Sequence, residues 1–328
     1  MRKLLKSFGD SMRLMARDGN RRGPVRKDMG ENTGASGGYT VPEELFLQFD
    51  EALKEVGIFH QLAWTQPMAR KELNFPGLDV SFAHATGNSP LYGGFTAAWT
   101  LEATEPAETD PKFANSQLVA NELEAVVTVS NQLVEDGGEA LGAFLFNMFK
   151  YALEWTVELA CFNGSGLGKP TGIVSSPATA TVTRSSASHV TQTDISKMVR
   201  TLLPACFPGA IWCAHPTAIE DICGLSTYHV NPAVSDFGAL CGQIMGRPLY
   251  ATEKLPAIGN RGDVMLFYPK LYLLGSHELE ISVSRHSKFL TNQTDYRAIW
   301  RGDGKPIPRS TITLQDGATV CAAFVALL

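Results

Sequence analysis

No stretch of this sequence approaches the ~20 consecutive apolar residues that a membrane-crossing helix needs. The longest apolar tract is the last, Val320 to Leu328, which reads as a buried C-terminal strand. No continuous apolar segment follows the charged N-terminus, so a secretory leader is not expected. Cysteine is scarce, and the six, at 161, 206, 213, 223, 241 and 321, include no C-x-x-C pair. That spacing proposes neither a zinc site nor a disulfide framework. Neighbours such as those in Ala205-Cys206-Phe207 and Val320-Cys321-Ala322 suit thiols used as small buried hydrophobes. The seven histidines (60, 84, 189, 215, 229, 277 and 286) never fall two together at ligand spacing. Zinc needs three or four converging ligands, so no metal is expected, and no cofactor either.

Nucleotide and nucleophile motifs fail in the same way. Asn163-Gly164-Ser165-Gly166-Leu167-Gly168-Lys169-Pro170 resembles a phosphate loop, but Asn163 stands where the first glycine belongs, and Pro170 replaces the magnesium-binding hydroxyl. The segment follows a helical pattern rather than a strand, which also defeats the dinucleotide fingerprint. Ser165 is not in a G-x-S-x-G elbow. Cys213 and His215 lie two apart on one strand face, without the base-oriented pairing that an active thiol requires. No catalytic residue is expected, and a soluble Cys/Ser hydrolase is a remote alternative.

What the chain does contain is an apolar share of 44% against 19% charged, over 328 residues. That suits a packed protein of about two domains, or one with large extensions. The formal charge of −5 is unevenly spread: nine basic residues face only Asp10 and Asp18 before position 28, a surplus of seven that leaves −12 for the remainder. Arg13, Arg17, Arg21, Arg22 and Arg26 are the candidate arm contacts to nucleic acid or to acidic groups. Gly34-Ala35-Ser36-Gly37-Gly38 closes this arm as a flexible junction. A helix follows, with Pro42 in its first turn and Leu45, Phe46, Phe49, Leu53 and Val56 on one face.

From about Ala63 to Thr128 short strand-like pieces alternate with Gly, Pro, Ser and Asn, and an acidic strip (Glu102, Glu105, Glu108, Asp110) follows a turn at 87–94. So few core positions over so many residues suggest a long hairpin reaching away from the body; a disordered insert is the alternative. A strand over Leu123 to Ser130 puts Leu123, Ala125, Val127 and Val129 on one side. The clearest helix follows Gly138, with Leu141, Phe144, Leu145, Met148, Ala152, Trp155 and Leu159 at helical rhythm, and ends at Asn163-Gly164. Short helices and strands alternate over 190–280, at Asp194 to Leu203, Gly209 to Cys213, Pro216 to Leu225 and Asp263 to Phe267. Arg285 to Trp300 reads as extended. The fold class is α+β.

This order of elements resembles the major capsid proteins of tailed bacteriophages, whose Hong Kong ninety-seven-type fold is shared with encapsulin shells. The resemblance rests on Gly37-Gly38-Tyr39-Thr40-Val41-Pro42, on the strand running into the helix that ends Phe162-Asn163-Gly164-Ser165-Gly166, and on Gly168-Lys169-Pro170-Thr171-Gly172-Ile173. Ile244-Met245-Gly246-Arg247-Pro248-Leu249 and Asp263-Val264-Met265-Leu266-Phe267 are further matches. It implies a basic N-terminal arm (1–38), a helix and approach to the hairpin (39–69) and an extended β-hairpin loop (70–116). A peripheral domain (117–189 and 280–313) with a long spine helix (138–162), and an axial domain (190–279 and 314–328), complete the set.

The implied function is self-assembly into hexamers and pentamers of an icosahedral head around double-stranded DNA, bound without sequence specificity. An encapsulin-like compartment is the alternative. The implied partners are further copies of the chain, a separate scaffolding protein, a portal and decoration proteins, with no membrane. The implied location is the virion capsid, assembled in the host cytoplasm. Only residues 1–36 precede the motif at Gly37, too few for a long fused scaffolding segment, so either a separate scaffold or a chain of already processed length is expected. The candidate inter-subunit contacts are Glu102, Glu105, Glu108 and Asp110 against Arg297 and Arg301. The hairpin tip, Thr86 to Phe95, holds no lysine, so lysine–asparagine cross-links of the family's type member are not expected.

Overall fold

The computed structural model describes residues 57–78, 99–100, 113–229, 240–314, 316 and 318–328. The basic arm with Arg13, Arg17, Arg21, Arg22 and Arg26, the helix from Pro42, the hairpin tip and the strip Glu102, Glu105, Glu108 and Asp110 all lie outside the described residues. The chain divides into two compact units, one containing Glu122–Thr156 and Glu278–Arg301, the other Glu55–Asn121, Val157–His277 and Gly302–Leu328.

In the first unit, β4 (Asn121–Ser130) alternates side by side, and Leu123, Ala125, Val127 and Val129 join one apolar cluster. Strand β12 (Glu280–Ser284) runs antiparallel to the first half of β13 (Gln293–Pro306), with Ser282 opposite Arg297, and β4 also pairs with β13. The segment 285–292, read from sequence as extended, instead contains a 3-10 turn at Phe289–Thr291 closed by Asn292 in the left-handed region at φ 55°. Asn adopts that conformation more readily than most residues. Here it is held from a distance: its Oδ1 accepts from Asn131 Nδ2 at 2.7 Å and its carbonyl accepts from the Asn131 N–H at 3.1 Å.

Helix α2 covers Asn131–Asn163 and is interrupted at Gly138 (φ 49°, ψ −129°), so a short helical segment precedes the long one that begins after the glycine. Its burial keeps Leu141 and Leu145 of the sequence reading and corrects the rest. The core takes the row Leu141, Leu145, Phe149 and Leu153, whereas Met148, Ala152 and Leu159 are exposed and Phe144 and Trp155 only half-buried. Apolar residues occupy two neighbouring rows of this helix, and periodicity alone does not say which row the core takes.

The second unit is built on a seven-stranded mixed sheet in the order β5-β16-β10-β6-β9-β8-β7. These strands are β5 (Thr179–Val182), β6 (Ile211–Ala214), β7 (Tyr228–His229), β8 (Leu240–Ile244), β9 (Arg247–Ala251), β10 (Val264–Phe267) and β16 (Phe324–Leu327). The expected single C-terminal strand is broken into β15 (Val320–Cys321) and β16, with β16 lodged antiparallel to β10 and parallel to β5. Helix α3 (Gln192–Thr201) starts at a capping box: Thr191 and Asp194 each accept the other's backbone N–H. The expected helix at 216–225 is a 3-10 turn (Pro216–Ala218) leading into α4 (Ile219–Cys223). Trp212, fully buried, donates its indole N–H to the Ile244 carbonyl at 3.1 Å.

Two further pieces belong to this unit. Helix α1 (Ile58–Leu62) places Phe59 against Phe162, Phe267 and Tyr272, with ring centroids 4.9, 5.7 and 4.8 Å away. Strand β1 (Trp64–Pro67) then runs parallel to β11 (Tyr272–Ser276), whose other side pairs with the last residues of β13. At the end of α2, the chain turns back so tightly that glycine is required twice. A Cβ on Gly164 would stand 2.0 Å from the Pro170 carbonyl, and one on Gly172 would stand 2.5 Å from the Gly164 nitrogen. The returning chain donates from Ile173 and Val174 to the Cys161 and Phe162 carbonyls (2.9 and 3.0 Å), satisfying helix-end groups that would otherwise be orphaned. That is the use made of the glycine-rich segment.

Candidate assembly surface

The hairpin root consists of β2 (Glu72–Leu78) and β3 (Phe113–Val119), antiparallel with Leu73 opposite Leu118. One face is apolar: Leu118, 1% exposed, packs with Met68, Ala120 and Leu273, and Leu73, Phe75 and Ile307 close the cluster. Gly275 leaves room for it, since a Cβ there would meet Met68 at 2.5 Å and Leu118 at 3.1 Å. The other face is polar and exposed, with Glu72, Asn74, Asn115 and Gln117; Gln117 Nε2 donates to Glu72 Oε2 at 2.9 Å.

The edges of this ribbon are occupied differently. The Ala120 N–H bonds the Lys71 carbonyl at 2.8 Å across the hairpin. By the alternation of an antiparallel ladder, the backbone groups of 115, 117 and 119 then point away from β2. Three side chains from the end of β13 and the turn beyond it meet them there. The Val119 N–H donates to Asp303 Oδ2 at 3.1 Å, Lys305 Nζ donates to the Gln117 carbonyl at 2.7 Å, and Arg309 Nη2 donates to the Asn115 carbonyl. Asp303 also accepts from Gly304 N–H at 2.8 Å. Burial pushes its carboxyl up, against the opposing pull of the Val119 N–H, Lys305 and the Gly304 N–H. On the outer edge of β2 the same alternation points Pro76 outward, where it offers no N–H. The sequence reading expected few contacts between hairpin and body; at the root the contacts are extensive.

A second polar cluster anchors α1. Glu158, in α2, accepts from the Ile58 and Phe59 N–H groups on one oxygen (3.1 Å from Phe59) and pairs with Lys254 Nζ on the other. Both side chains are buried, at 3% and 2% exposure. Burial raises the Glu158 carboxyl, opposed by the lysine charge and these hydrogen bonds. Asn163 Nδ2, at the end of the helix, holds the Lys254 carbonyl at 2.6 Å.

Of the candidate arm and inter-subunit contacts, Arg297 and Arg301 are described. Arg301 pairs with Glu122 of its own chain at 2.7 Å, both about half exposed, and Arg297 Nε lies 3.4 Å from Ser282 Oγ. An exposed pair of this kind contributes little to stability and exchanges readily. The turn 285–292 of the first unit is a feature that sequence reading missed. Ser287 and Lys288 both reach Asp295 (2.5 and 3.7 Å), and Lys288 also donates to Thr128 at 2.7 Å. Phe289 and Leu290 project at 78% and 94% exposure.

Nucleophilic chemistry finds little footing. Cys213 is fully buried in the all-buried strand β6. Burial raises the Cys161 and Cys206 thiols to about 12 and about 11, the opposite of an activated thiolate. Cys223 is exposed, contrary to the expectation of buried thiols throughout. Among the described residues no three His, Cys, Asp or Glu side chains are grouped to hold a metal ion, and no helix is long and apolar enough to cross a membrane.

A helix of this length beside a β-sheet, a hairpin rooted on the body and a mixed-sheet unit that takes back the C-terminus define the Hong Kong ninety-seven-type capsid fold. Solved structures bear this out. The capsid of the native GTA particle computed with C5 symmetry matches with TM-score 0.63 at 15% identity, covering 84% of this chain and 90% of that one. A Gordonia phage Cozz structure matches with TM-score 0.57 at 12% identity (94% and 98% covered), and one of Mycobacterium phage Bobi with TM-score 0.55 at 13% (84% and 91%). No curated protein sequence matches significantly. The sequence profile of the phage capsid family matches residues 37–315, and the chain belongs to that family. It is a major capsid protein, a structural subunit of an icosahedral virion shell.

Proposed function

We propose that the chain forms hexamers and pentamers of a phage head that encloses double-stranded DNA, with residues 190–279 and 314–328 around the ring axes and residues 117–189 and 280–313 at the ring periphery. The observation that carries the reading is the second apolar row of α2, where Met148 is 45% exposed beside Ala152 and the half-buried Trp155. Exposed apolar side chains beside a filled core row are what a neighbouring copy could cover, and this supports the reading. The occupant proposed for it is the 70–116 hairpin of a neighbouring copy, whose acidic strip (Glu102, Glu105, Glu108, Asp110) would meet Arg297 and Arg301. The +7 arm would lie inside and contact phosphates, a salt-sensitive and sequence-independent interaction. Assembly in the host cytoplasm would use a separate scaffolding protein, with a portal and decoration proteins as further partners. The test is light scattering of the purified full chain with nuclease treatment before and after disruption. Megadalton particles that protect DNA are expected. Particles without nucleic acid would remove the DNA part, and a small oligomer as the final state would remove the rest.

A further inference from the structure

The three side chains on β3 call for an explanation, because a hairpin that served its neighbours by strand pairing would keep its edges open. At the described root, part of the outer edge of β3 is instead already occupied. Asp303, Lys305 and Arg309 occupy alternate backbone positions 119, 117 and 115, and Pro76 interrupts the outer edge of β2. Below the ribbon, Leu118 and Phe75 press on Met68, Leu273 and Ile307. The root is thus held from one face by apolar packing and along one edge by a row of charged groups, which fixes both its tilt and its twist. Apolar packing alone tolerates sliding; charge-assisted bonds to successive carbonyls set a direction.

We propose that Lys305 and Arg309 are positioning residues that set the angle at which the hairpin leaves its own body, and through that angle the size of the shell. The proposal rests on the shell reading given above. In a closed shell of five- and sixfold rings the subunits meet their neighbours within a narrow range of inclinations, and shifting or widening that range changes the closure. A firmly held root keeps the range narrow and favours one diameter; a loosened root gives a spread.

The experiment uses the full chain with Lys305→Ala/Arg309→Ala, and with the charge-preserving exchange Lys305→Arg/Arg309→Lys. Amide hydrogen exchange at residues 115–119 and the diameter distribution of the assembled particles are both read. With the alanines, exchange should rise about tenfold or more, in keeping with lost hydrogen bonds from charged groups, and the diameters should broaden or shift. The charge-preserving variant should restore a single diameter. Should the double alanine chain fail to fold, single Lys305→Met and Arg309→Met variants carry the same two readouts. Unchanged exchange, or faster exchange with unchanged diameters, overturns the proposal. Failure of the wild-type chain to form particles would instead strike the shell reading, so the two failures are distinguishable.

Discussion

Glu158 and Lys254 form an ion pair shut off from solvent on both sides, and the carboxylate oxygen that the lysine leaves free holds the first two N–H groups of α1. The pair therefore joins three segments distant in sequence: the chain entering at Ile58, the last turns of α2 and the loop after β9. Removing one member of a buried pair strands the other, at a cost of ~3–5 kcal/mol, whereas replacing both with apolar residues of similar volume is often nearly neutral. Glu158→Ala should accordingly lower the thermal midpoint of the unassembled chain strongly, and Glu158→Leu with Lys254→Met should recover the part due to the stranded lysine but not the part due to the Ile58 and Phe59 N–H groups, which stay unpaired. A double variant no better than the single would mean that the two residues do not act as a pair.

Asp194 supplies a pH dependence. Burial by itself would raise its carboxyl, but the hydrogen bonds from Ser185 and Thr191 outweigh this and hold it below the ordinary value of 3.8. A carboxyl depressed in the folded chain contributes stability that is present above its unfolded value and is lost as pH falls through the folded one. Asp194→Asn should thus cost ~1.5–3 kcal/mol at neutral pH, the range for hydrogen bonds to a charged group, with Thr191 still capping the helix. The difference from wild type should shrink as pH drops below 3.8. Denaturation curves at several pH values check this, and a constant difference down to the acid limit contradicts it.

At the end of α2, the two kinds of glycine should behave differently. Gly172→Ala drives a Cβ into backbone 2.5 Å away, while Gly168→Ala meets nothing within 4 Å and suffers only its φ of +67°. The second should cost ~1–2 kcal/mol and the first clearly more, measured as thermal midpoints or soluble yield. Equal effects would show that crowding is not what these positions select against.

The thiols give a direct map of burial. Of Cys161, Cys206, Cys213, Cys223 and Cys321, only Cys223 is exposed, so a maleimide should label it before the other four in the native, unassembled chain. Labelling of Cys161 or Cys213 at a comparable rate would contradict the placement of β6 and of the end of α2.

How much of this was legible in the sequence follows the range of the interactions. The alternation of Leu123, Ala125, Val127 and Val129 and the stop at Asn163-Gly164 are local patterns, and the structure has β4 and the end of α2 there. The buried row of α2 was half legible: Leu141 and Leu145 were read from the rhythm and are buried, whereas Phe149 and Leu153 were missed because Met148 and Trp155 compete with them for it. Nor were the side chains that hold the hairpin root: Asp303, Lys305 and Arg309 act 184, 188 and 194 positions away. Glu158, 96 positions from Lys254, reads in isolation as one more solvated charge on a helix. Arg301 was singled out from sequence, but Glu122 of its own chain was not foreseen as its partner.

A prediction about covalent chemistry follows from the lysines. Cross-linking needs an amine delivered to a carboxamide with a carboxylate nearby. The hairpin tip carries no lysine, and Lys71 sits at the ribbon's base with its carbonyl bonded to Ala120. Assembled particles boiled in detergent with reductant should run as single chains. A ladder of covalent oligomers would contradict this and direct attention to Lys71 or Lys112.

The central claim, that this chain is a shell subunit, is tested most directly by cryo-electron microscopy of particles assembled from the purified full-length protein. The account predicts closed icosahedral shells in which five- and sixfold rings place residues 190–279 at their axes and a hairpin from each copy lies over the α2 row of the next. Discrete dimers or tetramers, or shells in which Met148 and Trp155 face solvent with no neighbouring chain on them, would contradict it.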